Sequence, residues 1–118
     1  MSVETELRAA LVAWPALSAL VGSSVTQNAM DPGKPVPYVV FTCTHAPEMG
    51  VDGATLLGDV VTIELQCWAA TAAAAASVAA AVAGCLASLA VPITGRATGY
   101  DAETNLDAEI ITATWVTG

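Results

Sequence analysis

The chain has 118 residues, of which 55% are hydrophobic and 12% charged, and its 11 acidic and 3 basic residues give a formal net charge of −8. This length is that of one domain (1–118) and suffices for a hydrophobic core, while the apolar composition excludes a disordered chain. Three scattered cations, Arg8, Lys34 and Arg96, exclude binding to nucleic acid through phosphate neutralisation. So few charges also favour burial of part of the surface in an oligomer.

The cysteines and the first residues indicate the compartment in which the chain is made. Cys43, Cys67 and Cys85 are odd in number and widely spaced, which predicts free thiols in a reducing compartment. The acidic start, Met-Ser-Val-Glu-Thr-Glu, is unlike the basic start of a secretory signal. We therefore expect synthesis in a cytoplasm.

Two helices are predicted at the N-terminus. Ser2 is a suitable cap for a helix from Val3, and apolar residues recur at helical spacing at Val3, Leu7, Ala10, Leu11 and Trp14. Pro15 is compatible with the first turn of a second short helix, Ala16 to Val21, which ends at Gly22. Residues 23 to 37, rich in proline, are predicted to be irregular.

Two strands follow, joined by a long loop. Tyr38–Thr44 is β-branched and aromatic, and Asp59–Trp68 alternates apolar with polar residues, which predicts a sheet with one buried and one partly wet face. Between them, residues 46 to 55 are largely polar and contain glycine, and two leucines follow before the second strand. The sequence therefore predicts an extended β-hairpin with a loop from Ala46 to Leu57.

An uncharged, alanine-rich helix comes next, capped by Thr71 and ended by Pro92. Its length permits a membrane span, but its Ala, Ser and Thr content and the lack of flanking cations favour a helix packed on a sheet. Its core-facing stripe is predicted to be Val78, Val82, Cys85, Leu86 and Leu89, and Gly84 should allow close approach of another backbone.

Two further strands are predicted near Ile93–Arg96 and Leu106–Trp115, with a loop over residues 98–105. The predicted fold is therefore α+β: an antiparallel four-stranded sheet, with room for further short strands, backed by an N-terminal helix and a long alanine-rich helix.

The whole chain resembles the tail-completion or tail-terminator proteins of long-tailed bacteriophages and gene transfer agents. Order and spacing of four blocks carry the resemblance: residues 4–11 with Leu17–Gly22, then Pro37–Phe41 after a proline-rich loop, then Val61–Ala69 running into the alanine-rich helix, and finally Tyr100–Asn105 before a strand ending in Trp115–Val116.

This resemblance implies a structural virion protein and no enzyme. Such proteins form a ring, typically a homohexamer, which caps the tail tube at its head-proximal end and contacts the head-completion or connector protein. Genomic DNA passes through the ring without sequence-specific binding, and neither a cofactor nor a membrane is involved. Another head–tail joining protein, such as a head-closure subunit, is the alternative within the same class.

A small ligand-binding or enzymatic domain is the alternative from another class. Cys43 and His45 share a strand face, and Cys67 lies on the neighbouring strand, so the three are a conceivable metal or nucleophile site. No paired Cys-x2-Cys ligands occur, and packed thiols with a polar histidine are the favoured interpretation. Asp101 and Glu103 are interpreted as solvated turn residues rather than an acid–base pair. The three tryptophans, Trp14, Trp68 and Trp115, are expected to be core or interface anchors.

The hairpin loop is the predicted assembly site. Long loops in compact domains are commonly functional, and this one carries two acids and several apolar residues. We expect it to contact a neighbouring subunit or the tail tube protein, with its apolar side chains docking and its acids facing solvent or the channel; the residues concerned are Glu48, Met49, Val51, Asp52, Leu56 and Leu57.

Overall fold

The computed structural model describes residues 3–28, 36–49 and 56–117, except for the side chains at positions 47–49, 56–59 and 117. The elements in chain order are α1 (Val3–Ala13), α2 (Pro15–Val21), β1 (Val25–Gln27), β2 (Tyr38–Met49), β3 (Leu56–Ala69), α3 (Ala72–Ser88), β4 (Ile93–Asp101) and β5 (Leu106–Thr117). The α+β class and both predicted N-terminal helices are confirmed.

The described residues form a sheet of five strands in the order β1-β2-β3-β5-β4, not four, and it is mixed rather than antiparallel. The added strand, β1, lies within residues 23 to 37, the segment that was predicted to be irregular. It pairs in parallel with Val39–Phe41 of β2. The remaining pairs are antiparallel, as expected. The sequence missed β1 because its three residues owe their strand conformation to the neighbouring β2 and not to a pattern of their own.

The helix ends agree with the chemistry of their residues. The Thr71 Oγ1 accepts a hydrogen bond from the Ala74 N–H at 3.1 Å, which confirms the predicted cap of α3. Gly22 ends α2 with a φ of 61°. α3 ends at Ser88, earlier than the predicted stop at Pro92, because Ala90 already adopts a φ of 57° that no helix continues through.

The core lies between the helices and one face of the sheet. Within the predicted stripe of α3, Val78, Val82, Cys85 and Leu86 are at most 1% exposed, whereas Leu89 is only partly buried. They pack with the apolar side chains of α1 and of the central strands: Leu7, Leu11, Phe41, Ile63, Leu65 and Ile111. Among the described helices, none combines the length and the apolar character needed to cross a membrane.

Candidate assembly surfaces

The hairpin of β2 and β3 is longer than predicted, and its connecting loop is shorter. Residues 46–49, 56 and 57, expected in the loop, belong to the strands: Glu48 pairs with Gly58, and after an irregularity Met49 pairs with Leu56. Six residues, 50–55, join the strands. Of the predicted assembly residues, Val51 and Asp52 lie outside the described part of the chain, and Glu48, Met49, Leu56 and Leu57 are described by their backbone alone.

The distal part of this hairpin extends past the hydrophobic core. Among the side chains that the structure describes, the last fully buried one of β3 toward the tip is Val61, and its partner in β5 is the partly buried Trp115. Beyond that pair, β2 continues for four residues from Ala46, which corresponds to about 13 Å of extended chain. Val116 at the same end is 57% exposed. The described ends of β2 and β3 therefore continue past the last buried side chain of this part of the sheet.

Cys43, His45 and Cys67 do not converge. All three side chains share the helix-covered face, but Cys43 pairs with Ile63 whereas Cys67 pairs with Val39. Four residues along the strand separate the two thiols, or about 13 Å. Among the residues that the structure describes, no group of three potential metal ligands occurs.

The environment of the thiols also disfavours nucleophilic chemistry. Burial, followed by the Glu4 carboxylate, raises the pKa of Cys43 to about 11. Burial, followed by Glu109 and opposed by Arg96, raises the pKa of Cys67 to about 12. Because the thiolate is the nucleophile, the predominantly protonated state of both groups near neutral pH disfavours a nucleophilic role.

His45 has a structural partner that sequence patterns did not indicate. Its Nε2 lies 2.5 Å from the Glu4 Oε1, so the contact joins the base of the hairpin to the first turn of α1 across 41 residues of sequence. No local pattern relates positions so far apart. The contact links the hairpin to the helical layer.

The acids at the β4–β5 connection stabilise a turn. The strands reach Asp101 and Leu106, so β4 extends well into the loop that was predicted over residues 98–105. The Glu103 N–H donates to the Asp101 Oδ1 at 3.0 Å, and the Tyr100 hydroxyl donates to the Asn105 Oδ1 at 2.7 Å. Asn105 adopts a φ of 56°, which asparagine tolerates. This arrangement is turn chemistry and not a pair of catalytic carboxylates.

The face of the sheet opposite the helices is the broadest surface without a covering layer of described residues. Its cross-strand rows include Thr44–Thr62–Thr114 and Thr42–Glu64–Thr112. Trp68, on the same face, donates its indole N–H to the Gln66 Oε1 at 3.1 Å, and the Gln66 amide donates to the Glu64 Oε1 at 2.9 Å. Trp68 thus lies part-buried on this face, whereas Trp14 and Trp115 pack against the core.

Comparison with known proteins gives one family match and one structural match of note. The family model described as "Tail completion protein gp17" matches residues 5–116. A chain from the virion of a native gene transfer agent particle superposes with a TM-score of 0.77 at 21% identity, covering 99% of this chain and 96% of that one. No curated protein sequence matches significantly.

Proposed function

Because this chain belongs to the tail completion protein gp17 family, whose members are structural virion tail proteins and not enzymes, we propose that it is a ring-forming tail terminator. In this proposal several copies, most simply six, form a ring that caps the tail tube at its head-proximal end. The opposite surface of the ring contacts the head-completion protein. Family membership is the observation that carries the proposal.

The composition supports assembly into a closed oligomer. A chain with 12% charged residues has few groups to solvate its surface, and the uncovered sheet face carries two charged side chains, Glu64 and Asp101, among its described positions. A heterologous contact between copies, repeated by rotation, closes a ring. Such a ring removes part of this weakly charged surface from water.

The hairpin tip is proposed as the element that reaches a neighbouring subunit or the tail tube. Its strands extend past the core, and the His45–Glu4 contact holds its base against α1. By sequence the tip offers Met49, Val51, Leu56 and Leu57 for docking. Apolar side chains at the end of a hairpin are suited to docking between proteins.

DNA passage through the ring is favoured by the sign of the charge. The chain carries 11 acidic against 3 basic residues, so a channel wall built from it repels phosphates and lets a duplex slide. Replacement of Glu48 and Asp52 together by lysine should slow DNA ejection while leaving assembly intact. Unchanged ejection kinetics would remove these two residues from the channel wall.

The function is tested by omitting the chain from particle assembly. Without it, tails should polymerise past their normal length and fail to join filled heads, and purified protein added to the extract should restore joining. A head-closure subunit, the alternative role, would leave tail length unchanged and cause filled heads to lose DNA. Tails of normal length that still join heads would contradict both roles.

A further inference from the structure

The directions of the backbone hydrogen bonds identify which residues face the two outer edges of the sheet. Residues of a strand address their two neighbouring strands alternately. The Val39 N–H donates to the Ser24 carbonyl at 3.0 Å, and the Phe41 carbonyl accepts from the Asn28 N–H at 2.8 Å, so odd-numbered residues of β2 face the β1 side. The same alternation can be followed from β2 to β3, from β3 to β5 and from β5 to β4 by the residue pairs that these strands form. It shows that the backbone N–H and C=O groups of three β4 residues point away from β5: Arg96, Thr98 and Tyr100.

The edge formed by β1 and the tip of β2 is protected at two points. By the same alternation Val25 faces outward from β1, and its carbonyl accepts a hydrogen bond from the Arg8 Nε at 3.0 Å. Pro47 also faces outward from β2, where it offers no N–H. Between these two points the outward-facing residues of β2 are Cys43 and His45. Protection by a side chain and by proline is how natural sheets limit pairing with other chains.

The edge formed by β4 lacks such protection. β4 is the last strand of the sheet, and no described residue pairs with its outer side. Arg96, Thr98 and Tyr100 present three N–H and three C=O groups along it, and no proline interrupts Ile93–Asp101. An open edge of this length is a template for a further strand.

We propose, on the basis of the proposed ring, that the β4 edge of one copy pairs with β2 of the next copy at Thr42–Ala46, where no described residue pairs with the outer side of β2. In the register that places outward-facing residues opposite one another, Gly95–Gly99 pairs with Thr42–Ala46, five residues on each strand. They also match in direction, because β2 and β4 run antiparallel within one chain. Rotation about an axis along the strands keeps that relation between copies and gives an antiparallel joint.

Space and charge favour one register of this joint. A depression of about 250 Å³ lies beyond the end of β1, bordered by Glu4, Thr5, Arg8, Ala9, Gln27 and Phe41, where the incoming strand would enter. With Arg96 opposite His45 of the next copy, Thr98 stands opposite Cys43. Arg96 then lies on the same face as the Glu4 that contacts His45, which brings one of the chain's three cations beside an acid.

The edge is tested first by removing one outward N–H. Thr98→Pro deletes the N–H that faces the neighbour and none that faces β5, so the monomer should keep its circular dichroism spectrum. The matched control, Thr98→Val, keeps both the N–H and the β-branched shape. We expect Thr98→Val to assemble normally and Thr98→Pro to raise the half-assembly concentration by more than about tenfold, or to give one copy on purified tails. Rings of unchanged mass from folded Thr98→Pro would overturn the proposal while leaving the ring intact.

A cross-link tests the joint without relying on proline. Thr98→Cys, oxidised after assembly, should form disulfides with the native Cys43 of the next copy and give covalent oligomers up to the ring. The double variant Thr98→Cys/Cys43→Ser should give none. Intact Thr98→Cys rings without cross-links under oxidation would overturn the proposed register. A wild-type chain present as a single copy, both in solution and on tails, would instead contradict the ring itself.

Discussion

Gly84 of α3 lies directly against the indole ring of Trp14. A Cβ built on Gly84 would stand 3.5 Å from the Trp14 Nε1 and 3.6 Å from its Cζ2, so this glycine permits the approach of a side chain and not of the backbone that the sequence suggested. These are ordinary van der Waals distances, with room for a methyl group and no more. Trp14 therefore packs across the junction between the two N-terminal helices and α3.

Gly84→Ala should stabilise the protein. Alanine fits beside Trp14 and favours the helix by about 0.8–1.0 kcal/mol over glycine. Gly84→Leu, which gains a similar propensity but overfills the contact, should destabilise by about 1–3 kcal/mol. Urea denaturation of both variants checks this. Equal stabilisation by alanine and leucine would show that Trp14 does not pack against this position.

Alkaline pH should destabilise the fold through its buried thiols. Burial raises the pKa of Cys43 to about 11 and that of Cys67 to about 12, above their ordinary value of 9.0. The folded chain therefore binds more protons than the unfolded chain between these limits, so stability is retained below about pH 9 and falls as the pH rises toward 11–12. Urea titrations at pH 8 and pH 10 measure the loss. The loss should be smaller in Cys67→Ala than in the wild type, and an equal loss would assign it to other groups.

Simultaneous replacement of Cys43 by Ser, His45 by Gln and Cys67 by Ala should leave assembly intact. The thiols are about 13 Å apart along the strands, so no metal or nucleophile is lost. Loss of packing at Cys67 and of the His45–Glu4 contact should lower the free energy of unfolding, with about 1–2 kcal/mol from the thiol. Elemental analysis and assembly assays check the result. A stoichiometric metal in the wild type, or failure of a folded variant to assemble, would revive the alternative site.

Shortening the hairpin connection should impair tail joining without unfolding the chain. Met49 and Leu56 are paired, so residues 50–55 can be replaced by Asn-Gly, which suits a two-residue hairpin turn. The variant should keep its spectrum and melting cooperativity but lose the length control of tails. Normal tail length and head joining with the shortened hairpin would show that residues 50–55 are not an assembly element.

Local patterns predicted the helices and the centre of the sheet, whereas the strand ends and β1 depended on tertiary contacts. Thr71, Gly22 and the stripe of α3 are local signals, and the structure agrees with each. β2 continues through three poor strand formers, Ala46, Pro47 and Glu48. Proline is tolerated there because its nitrogen faces away from β3, so the missing N–H removes no hydrogen bond between β2 and β3. Val25–Gln27 follows α2 closely and is a strand because it pairs in parallel with β2. Three residues are too few to show a periodic pattern in the sequence.

The same distinction applies to the candidate assembly surfaces. A long hairpin was predictable from two strands and a polar connection, but its reach past the core was not, because it depends on where the helices stop covering the sheet. The His45–Glu4 contact joins positions 41 residues apart. The outer position of β4 follows from the order of the strands in the sheet. That order cannot be predicted from the lengths of the connections in one sequence.

The most direct test of the proposed function is the number and position of copies on isolated tails. Tails purified free of heads can be imaged by electron cryomicroscopy, with this chain marked by a fused domain at its C-terminus. The account predicts one ring, most simply of six copies, at the head-proximal end of each tail and nowhere along the tube. Absence of the chain from such tails, its distribution along the tube, or its presence on heads alone would contradict a tail terminator.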